Sequence, residues 1–519
     1  MKFAVPRIFR HLAAVAFCSS ACCQTWEREE VRFETIQSRA RDLSNKPYAA
    51  PNRDALPAWI HNLTRDQYQD IRFNPNQALW ATDHLPFRAM FFHPGFLYHE
   101  PVTLNEFTSS HQQQIRLAEA YFNYGPSLQK HGDLPPDGGF SGFRLHSPLN
   151  NPDTFDELIS FQGTTSWRAL GKGQRYGISS RAIAVNTEIQ GVTEELPSFR
   201  EFWLRKPPTD DTYARFYALL DGPSYSGAYE FTVHPGNETI VVVHAVLFTR
   251  RAVQRLGIAP MSSLFWFGEN SRRHFDDVHP EVHHSDGLAM RMSTGERLWR
   301  PLNNDSGKLE LSFFNSEKCD GFGLLQRDRR FAAYEDAEAN YQIRPSLWVE
   351  PTSDWGAGRI VLMEMPTSNG LSDNTMAMWE PSHTPQPGER IEFSYRQCWT
   401  TNPDPAQADG FVVATRTGVP DPTREQRSYV IEFTGKTLNQ VSEIPLTAHI
   451  EAISPGSDKI KIQGVAVQPM PDERWRVTFQ ISPATDGAKL ADIGPIELRG
   501  CLKRGENFLT ETWAHRVIP

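Results

Sequence analysis

Apolar and polar residues alternate with a period of two along much of the chain, and this pattern predicts β-strands. The strand-like segments are short, rich in β-branched and aromatic residues, and closed by Gly, Pro or Asp. Clear examples are RFYALLDG, YEFTVHPG and GRIVLMEMP. ETIVVVHAVLF is nearly all apolar, as a strand buried on both faces would be. One segment has a helical period instead, because its apolar residues lie on one helical face: Phe33, Ile36, Ala40 and Leu43.

The spacing of these segments predicts two domains. The Pro- and Gly-containing segment HTPQPGER, near residue 384, is typical of a turn. It is followed by period-2 segments such as IEFSYRQCW, VIEFTG and RWRVTFQIS. About seven such segments in the last part of the chain are typical of a small immunoglobulin-like β-sandwich. The preceding part predicts a larger β-sandwich. We therefore expect an all-β fold with one domain over 25–384 and a second over 385–519.

The first 24 residues are typical of an export signal. Lys2, Arg7 and Arg10 form a positive start, and a short apolar run from Leu12 to Phe17 follows. That run is too short to span a membrane, and there is no twin-arginine pair, so we expect general secretion and cleavage without stable membrane insertion. Cys22 and Cys23 would suit a lipoprotein anchor, but no leucine stands three places before either.

Charge and cysteine content narrow the function further. The formal net charge of −9 makes nucleic acid or an anionic lipid surface a poor partner. Beyond the signal there are three widely spaced cysteines, Cys319, Cys398 and Cys501. An odd, scattered set argues against a disulfide framework, so free thiols are the simplest expectation and a single bridge stays open.

The segment VHPEVHHSDG concentrates histidines and acids and invites a metal interpretation. His279 and His283 are four residues apart, but Pro280 separates them and no HExxH motif or cysteine pair accompanies them. A GxSxG nucleophile turn, a phosphate-binding loop and a dinucleotide motif are also missing from the sequence. The segment therefore predicts a polar loop, with no metal and no cofactor.

Aromatic residues in polar company point to carbohydrate. LWRPLNND, NYQIRPSLWVEP and MAMWEP combine Trp or Tyr with Arg, Asn and Glu. Sugars bind by stacking on aromatic rings while planar polar groups hold their hydroxyls, although each ring could equally fill a sandwich core. Cleaving a glycosidic bond needs carboxyl groups, and Asp373 and Asp286 both lie in polar loops.

Long ordered motifs resemble one known family. They run from DGGFSGFRL through YGISSRAIAVNT, LGIAPMSSLFWFG, GFGLLQRDR and RPSLWVEP to VATRTG and ETW. The sequence is similar to the osmoregulated periplasmic glucan biosynthesis proteins of the D and G types, and its RRHFDDVHPEVHHSDGL and SLWVEP segments look closer to the D type. The resemblance implies a periplasmic protein with a galactose-mutarotase-like β-sandwich, an immunoglobulin-like domain and action on a β-1,2-glucan chain.

The resemblance also implies catalytic residues. D-type members look like anomer-inverting β-1,2-glucanases whose general acid falls on Asp373, within PTSNGLSDN. Their general base is the first aspartate of an HDSD motif, which here is HHSD, so the base position holds His284. His284 could still act as base, or Asp286 could support the role. If neither does, a sugar hydroxyl could outcompete water as the acceptor, and inversion would then create an α-linkage, even a closed ring.

A second departure from the D type follows the VATRTG motif. There VPDPTREQRS joins the next strand more briefly than the aromatic-rich insertion associated with D-type hydrolases. A shorter lid would change the access of water to the cleft.

The resemblance and the side-chain chemistry together predict the residues that hold the glucan chain, namely Tyr341, Arg344, Trp299, Arg300 and Trp348. Three functions stay open at this point: a transglycosylase, an inverting endo-β-1,2-glucanase, and a non-catalytic protein that binds glucan or guides it to other enzymes. Other glucan biosynthesis proteins and a second copy of the chain are the protein partners that would fit.

Overall fold

The computed structural model describes residues 30–517 except 54–55, 129–130, 164, 273–274, 305–306, 407, 422–424 and 495. The predicted signal segment, 1–24, lies outside the described residues. Within that described part, every helix is too short or too polar to cross a membrane.

The larger of two long β-sheets has fifteen strands among the described residues. In spatial order they are Leu446–Ala452, Ile496–Arg504, Thr512–Val517, Arg297–Pro301, Gly287–Arg291, Gly321–Leu325, Ser346–Pro351, Arg390–Thr400, Thr239–Thr249, Tyr225–His234, Ala214–Asp221, Ser198–Arg205, Thr103–Phe107 and Gln112–Ile115, with Asn507–Phe508 beside Ile496–Arg504.

The second long sheet has ten strands, counted over the same described residues. In spatial order they are Arg88–Phe92, Gly142–Ser147, Asp156–Gln162, Ser166–Ala169, Ser179–Arg181, Leu256–Ser263, Thr375–Pro381, Gly358–Glu364 and Glu310–Ser316, with Ile183–Val185 also pairing to Leu256–Ser263. Smaller sheets comprise Phe411–Gly418, Arg427–Thr434, Trp475–Pro483 and Ile460–Pro469; Ile71–Phe73 with Phe122–Tyr124; and Phe265–Phe267 with Val282–His283.

An aromatic core holds the two long sheets face to face. Phe143 and Phe161 of the ten-stranded sheet meet Phe202, Phe216 and Phe231 of the larger sheet. The ring centroids of Phe143 and Phe202 lie 5.0 Å apart, and those of Phe161 and Phe231 lie 5.1 Å apart. Edge-on aromatic packing at this spacing stabilises the fold beyond the contribution of buried apolar area. The predicted large β-sandwich is confirmed.

A second sandwich stands at the far end of the larger sheet. The four-stranded sheet that begins at Phe411–Gly418 faces the strands near the C-terminus. Its core is again aromatic, with 5.0 Å between the ring centroids of Tyr429 and Phe479 and 6.1 Å between those of Phe479 and Trp513. The prediction of an all-β chain with a smaller C-terminal sandwich is confirmed.

The first strand after the predicted domain boundary belongs to the larger sheet. Arg390–Thr400 pairs along nearly its whole length with Thr239–Thr249 on one side, and its second half pairs with Ser346–Pro351 on the other. Thr512–Val517 continues the same sheet by pairing in parallel with Arg297–Pro301. A shared sheet therefore joins the two predicted domains, and their division at 384/385 stays a prediction.

Among the residues that the structure describes, helices are short apart from the first one. The α-helices span Phe33–Ser44, Ala58–His61, Arg65–Gln69 and Phe331–Tyr334, and the 3-10 helices Pro75–Gln77, Glu119–Tyr121, Pro126–Leu128, Tyr341–Ile343, Ser457–Lys459, Pro471–Glu473 and Leu490–Asp492. The predicted N-terminal helix is confirmed, and its buried residues Phe33, Ile36 and Ala40 pack on the outer face of the larger sheet. Cys319, Cys398 and Cys501 are free thiols.

Candidate functional site

A polar cleft lies on the outer face of the ten-stranded sheet. Strand register sets its floor: Ser160 pairs with Arg168, and Ser262 pairs with both Ser179 and Met376. Side chains at paired positions lie on the same face of a sheet. All five residues line the cleft, whose volume is about 540 Å³. A cavity of this size, walled by polar and aromatic groups, can hold a short stretch of an oligosaccharide.

Asp373 projects into this cleft from the loop between Gly358–Glu364 and Thr375–Pro381. The hydroxyl of Ser179 donates to its Oδ2 over 3.5 Å, and a guanidinium nitrogen of Arg168 lies 3.9 Å from the same oxygen. Burial raises the pKa of the Asp373 carboxyl, and the positive charge of Arg168 only partly opposes this. Such a carboxyl keeps its proton to higher pH and suits a general acid.

The neighbouring residue, Asn374, fixes the end of the loop. Its Oδ1 accepts from the backbone N–H of Phe265 over 2.8 Å, and its Nδ2 donates to the carbonyl of Met365 over 2.9 Å. Its own backbone N–H donates to the carbonyl of Ser263. Asn374 is only 3% exposed, so these bonds are made away from water and hold the direction of Asp373.

His284 reaches the same point from another loop. Its Nδ1 lies 3.7 Å from Oδ1 of Asp373, and its Nε2 accepts from a guanidinium nitrogen of Arg344 over 2.5 Å. The backbone N–H of His284 donates to the carbonyl of Leu264, which ties this loop to the strand beside the cleft. Burial lowers the pKa of His284 well below its ordinary value, and the positive charge of Arg344 lowers it further. The imidazole is therefore neutral near pH 7.

Arg344 is itself held by a second set of contacts. Its Nε and one terminal nitrogen donate to the carbonyl of Ala339 over 3.2 and 3.0 Å. Its guanidinium carbon lies 4.6 Å from the ring centroid of Tyr341, within the range of a cation–π interaction. The structure thus brings four of the predicted residues together: Asp373, His284, Arg344 and Tyr341.

Asp286 faces a different space. Its Oδ2 accepts from the backbone N–H groups of Arg327 and Asp328 over 2.9 and 3.2 Å. The carboxyl is buried, which raises its pKa, and it lines a small cavity of about 30 Å³ with Glu269 and His283. That cavity holds no more than a water molecule. Asp286 therefore does not share the cleft of Asp373.

The remaining predicted binding residues also lie elsewhere. Trp299, Arg300 and Trp348 are 3%, 3% and 2% exposed. Trp299 packs under the guanidinium of Arg327 at 3.7 Å, and Arg300 pairs with Glu497 over 2.8 Å. The two tryptophans belong to the core of the second sandwich. The structure does not bring these three residues together with Asp373, because their apolar and charged groups are used in packing the two sandwiches.

A protein-family comparison identifies the chain. The model described as "Periplasmic glucan biosynthesis protein, MdoG" matches residues 31–517. The chain belongs to this family. It is similar to a protein named glucans biosynthesis protein G from Ralstonia nicotianae, with 40% identity over 493 residues that cover 93% of this chain and 95% of the relative. A protein of the same name from Bradyrhizobium diazoefficiens is 38% identical over 486 residues, covering 93% of each chain.

Two solved structures match this MdoG family member distantly. The Slr1438 protein from Synechocystis matches 50% of this chain and 91% of its own, with a TM-score of 0.21 and 8% identity. A protein described as an aldose 1-epimerase from Escherichia coli K12 matches 50% of this chain and 95% of its own, with a TM-score of 0.22 and 10% identity.

Several cleft residues of this MdoG family member were not predicted from the sequence. Arg168 and Ser179 contact Asp373, and Glu157 lines the same cleft while accepting from Tyr176 and Arg144 over 2.8 and 2.9 Å. Tyr176 and Ser179 lie within YGISSRAIAVNT, one of the motifs on which the family resemblance is based. Polar residues recur at every second or third position of this motif, and this spacing could have pointed to a functional strand face. The spacing alone does not show which face of a strand is functional.

Proposed function

We propose that this protein is a periplasmic enzyme that acts on the β-1,2-linked glucan backbone by an anomer-inverting, glycosidase-type mechanism. Asp373 is its general acid, and a sugar hydroxyl, in preference to water, is its acceptor. The observation that carries the proposal is the partly buried carboxyl of Asp373, whose pKa is raised, on the wall of a polar cleft of about 540 Å³. Membership of the periplasmic glucan biosynthesis family supports the choice of a glucan.

The acid step follows from the surroundings of Asp373. Because burial raises the pKa of Asp373, its carboxyl keeps a proton to higher pH than an exposed one and can pass that proton to the glycosidic oxygen as the bond to the anomeric carbon breaks. Ser179 and Arg168 hold one carboxyl oxygen, and Asn374 fixes the backbone on the C-terminal side. This arrangement leaves the carboxyl pointed at the cleft with little freedom to turn away, which favours a productive geometry.

Transfer is favoured over hydrolysis because the base position holds a poor base. An inverting hydrolase uses a carboxylate to activate water. Here His284 stands at that position, neutral and largely buried, with Arg344 against its Nε2. A sugar hydroxyl held in the cleft gains effective concentration over unactivated water. Attack by that hydroxyl with inversion at a β-glucoside forms an α-linkage as the bond to the leaving oxygen breaks. The hydroxyl proton passes to solvent water, from which Asp373 regains the proton that it gave to the leaving oxygen. Attack by the far end of the same chain closes a ring.

Two other functions each have one observation in their favour. Glu157 is a second carboxyl in the cleft and could activate water, which would make the protein an inverting endo-β-1,2-glucanase. The relatives reported above are named glucans biosynthesis protein G, which fits a protein that binds or guides glucan without cutting it. The D-type likeness of the PTSNGLSDN and RRHFDDVHPEVHHSDGL segments makes an enzyme the stronger of these alternatives.

Incubation of the purified mature chain with linear β-1,2-glucan separates these functions. New reducing ends indicate hydrolysis, whereas products without new reducing ends and with a new α-anomeric proton signal indicate transfer. Asp373→Asn should abolish either reaction. Asp42→Asn, on the exposed side of the N-terminal helix, is the matched control and should behave as the wild type. Glucan left unchanged by both the wild type and Asp373→Asn would overturn the enzymatic proposal.

A further inference from the structure

His284 has its two ring nitrogens in different surroundings. Nε2 faces a guanidinium nitrogen of Arg344. Nδ1 is buried, has no hydrogen-bond partner among the described residues, and lies 3.7 Å from Oδ1 of Asp373. A neutral imidazole carries one proton, so the partner of one nitrogen decides where that proton is.

Arg344 decides the tautomer. A guanidinium has five N–H donors and no acceptor, so Nε2 of His284 must be the acceptor in this contact. The only proton of the neutral ring then sits on Nδ1. Arg344 cannot easily turn away, since Ala339 and Tyr341 hold it from two other directions.

We propose that His284 is a positioning residue for Asp373, with its Nδ1–H aimed at the acid, and that it is not the base of the reaction. This inference rests on the proposed function of Asp373. The single lone pair of the ring is already occupied by Arg344, so His284 cannot take a proton from an acceptor. The 3.7 Å gap to Oδ1 is longer than a hydrogen bond, as is common for catalytic contacts before substrate is bound.

The donors around Asp373 also determine where its own proton can lie. Oδ1 faces the Nδ1–H of His284, while Oδ2 faces Arg168 and the hydroxyl of Ser179. Arg168 and His284 can only donate in this arrangement, so neither can accept the acidic proton. That proton is left for an acceptor in the cleft, which is where the glycosidic oxygen would lie. Arg168 and His284 thus orient the carboxyl without accepting its proton.

Nitrogen-15 NMR of the histidine rings tests the tautomer without any substrate. The ring signals of His284 are assigned by their loss in His284→Leu. We expect a protonated Nδ1 and an unprotonated Nε2 from pH 5.5 to pH 8. Arg344→Met should release Nε2 and change the tautomer or the charge of the ring. A proton on Nε2, or an imidazolium at pH 6 in the wild type, would overturn the inference.

Two substitutions test the positioning role in the reaction. His284→Asn places an amide N–H near the position of Nδ1, and His284→Leu removes the donor. A displaced acid costs about a hundredfold in rate, so we expect His284→Leu to lose about that much kcat and His284→Asn to regain at least a tenth of wild-type kcat. Equal loss in both variants would contradict a donor role. His449→Asn, on a strand of the second sandwich, is the matched control.

The NMR and activity experiments distinguish a failure of this inference from a failure of the proposed function. If the wild type is inert toward β-1,2-glucan, the proposed function fails while the tautomer is still measured. If the wild type reacts but its His284 carries the proton on Nε2, the proposed function stands and the positioning role fails. Urea unfolding of each variant should show wild-type stability for His284→Asn, so that a loss of rate in it is not a loss of fold.

Discussion

The buried ion pair between Arg327 and Glu511 connects the loop behind the candidate site to the C-terminal strand. Both side chains are 1% exposed. Two guanidinium nitrogens of Arg327 donate to the two carboxylate oxygens over 2.5 and 3.0 Å. Arg327 also donates to the backbone carbonyl of Val412, and Glu511 accepts from the backbone N–H of the same residue. The pair therefore fastens three segments that meet between the two sandwiches.

Replacing Glu511 with leucine leaves a guanidinium buried without its counter-charge. Removal of one partner from such a pair costs about 3–5 kcal/mol, whereas a solvent-exposed pair contributes less than about 1 kcal/mol. Both side chains are only 1% exposed, so the value for a buried pair applies. We therefore expect Glu511→Leu to lower the free energy of unfolding by about 3–5 kcal/mol. The backbone N–H of Arg327 also donates to the carboxyl of Asp286, so the effect of the substitution should extend to the loop that carries His284.

Urea unfolding followed by tryptophan fluorescence measures this loss. The double variant Arg327→Met with Glu511→Leu removes both charges and should regain most of the stability, since an apolar pair of similar volume replaces a buried ion pair at little cost. Arg32→Met breaks the exposed pair with Glu30 and is the matched control, with little change expected. A loss below about 1 kcal/mol for Glu511→Leu would refute the reasoning.

Two further predictions concern the acid loop and the buried acids. Asn374→Ala leaves the N–H of Phe265 and the carbonyl of Met365 without partners, so we expect the free energy of unfolding in urea to fall by about 2–5 kcal/mol and kcat to fall as well. Asn369→Ala is the control and should change neither quantity. Unchanged stability of Asn374→Ala would contradict this prediction. Burial raises the pKa of Glu269 to about 8, from 4.5 in the unfolded chain, so the folded state binds the proton more tightly and should lose stability as pH rises from 4.5 to 8. Glu269→Gln should flatten that decline in urea midpoints, and an equal decline in the variant would exclude Glu269 as its source.

Much of the fold could be predicted from local pattern. The period-2 segments did become strands, and the helical face of Phe33, Ile36 and Ala40 did become a buried helix face. The division between sandwiches was harder. HTPQPGER forms a turn, but a turn says nothing about which sheet the next strand joins, and Arg390–Thr400 returns to the larger sheet.

The site divides in the same way. Asp373 and His284 came from the resemblance, since nothing in their local sequence separates them from other loop residues. Arg168 and Ser179 were missed because strand register, which depends on long-range pairing, brings them to Asp373. Trp299 and Trp348 were singled out because a tryptophan on a strand has the same pattern whether it faces a sugar or a core; here both face a core.

The central claim is that Asp373 protonates a β-1,2-glucosidic bond while a sugar hydroxyl attacks with inversion. Proton NMR of wild-type protein with linear β-1,2-glucan, followed in time, tests it most directly. We expect an α-anomeric linkage signal that grows without new reducing ends and is missing from Asp373→Asn. Unchanged glucan, or the same product from Asp373→Asn, would contradict it.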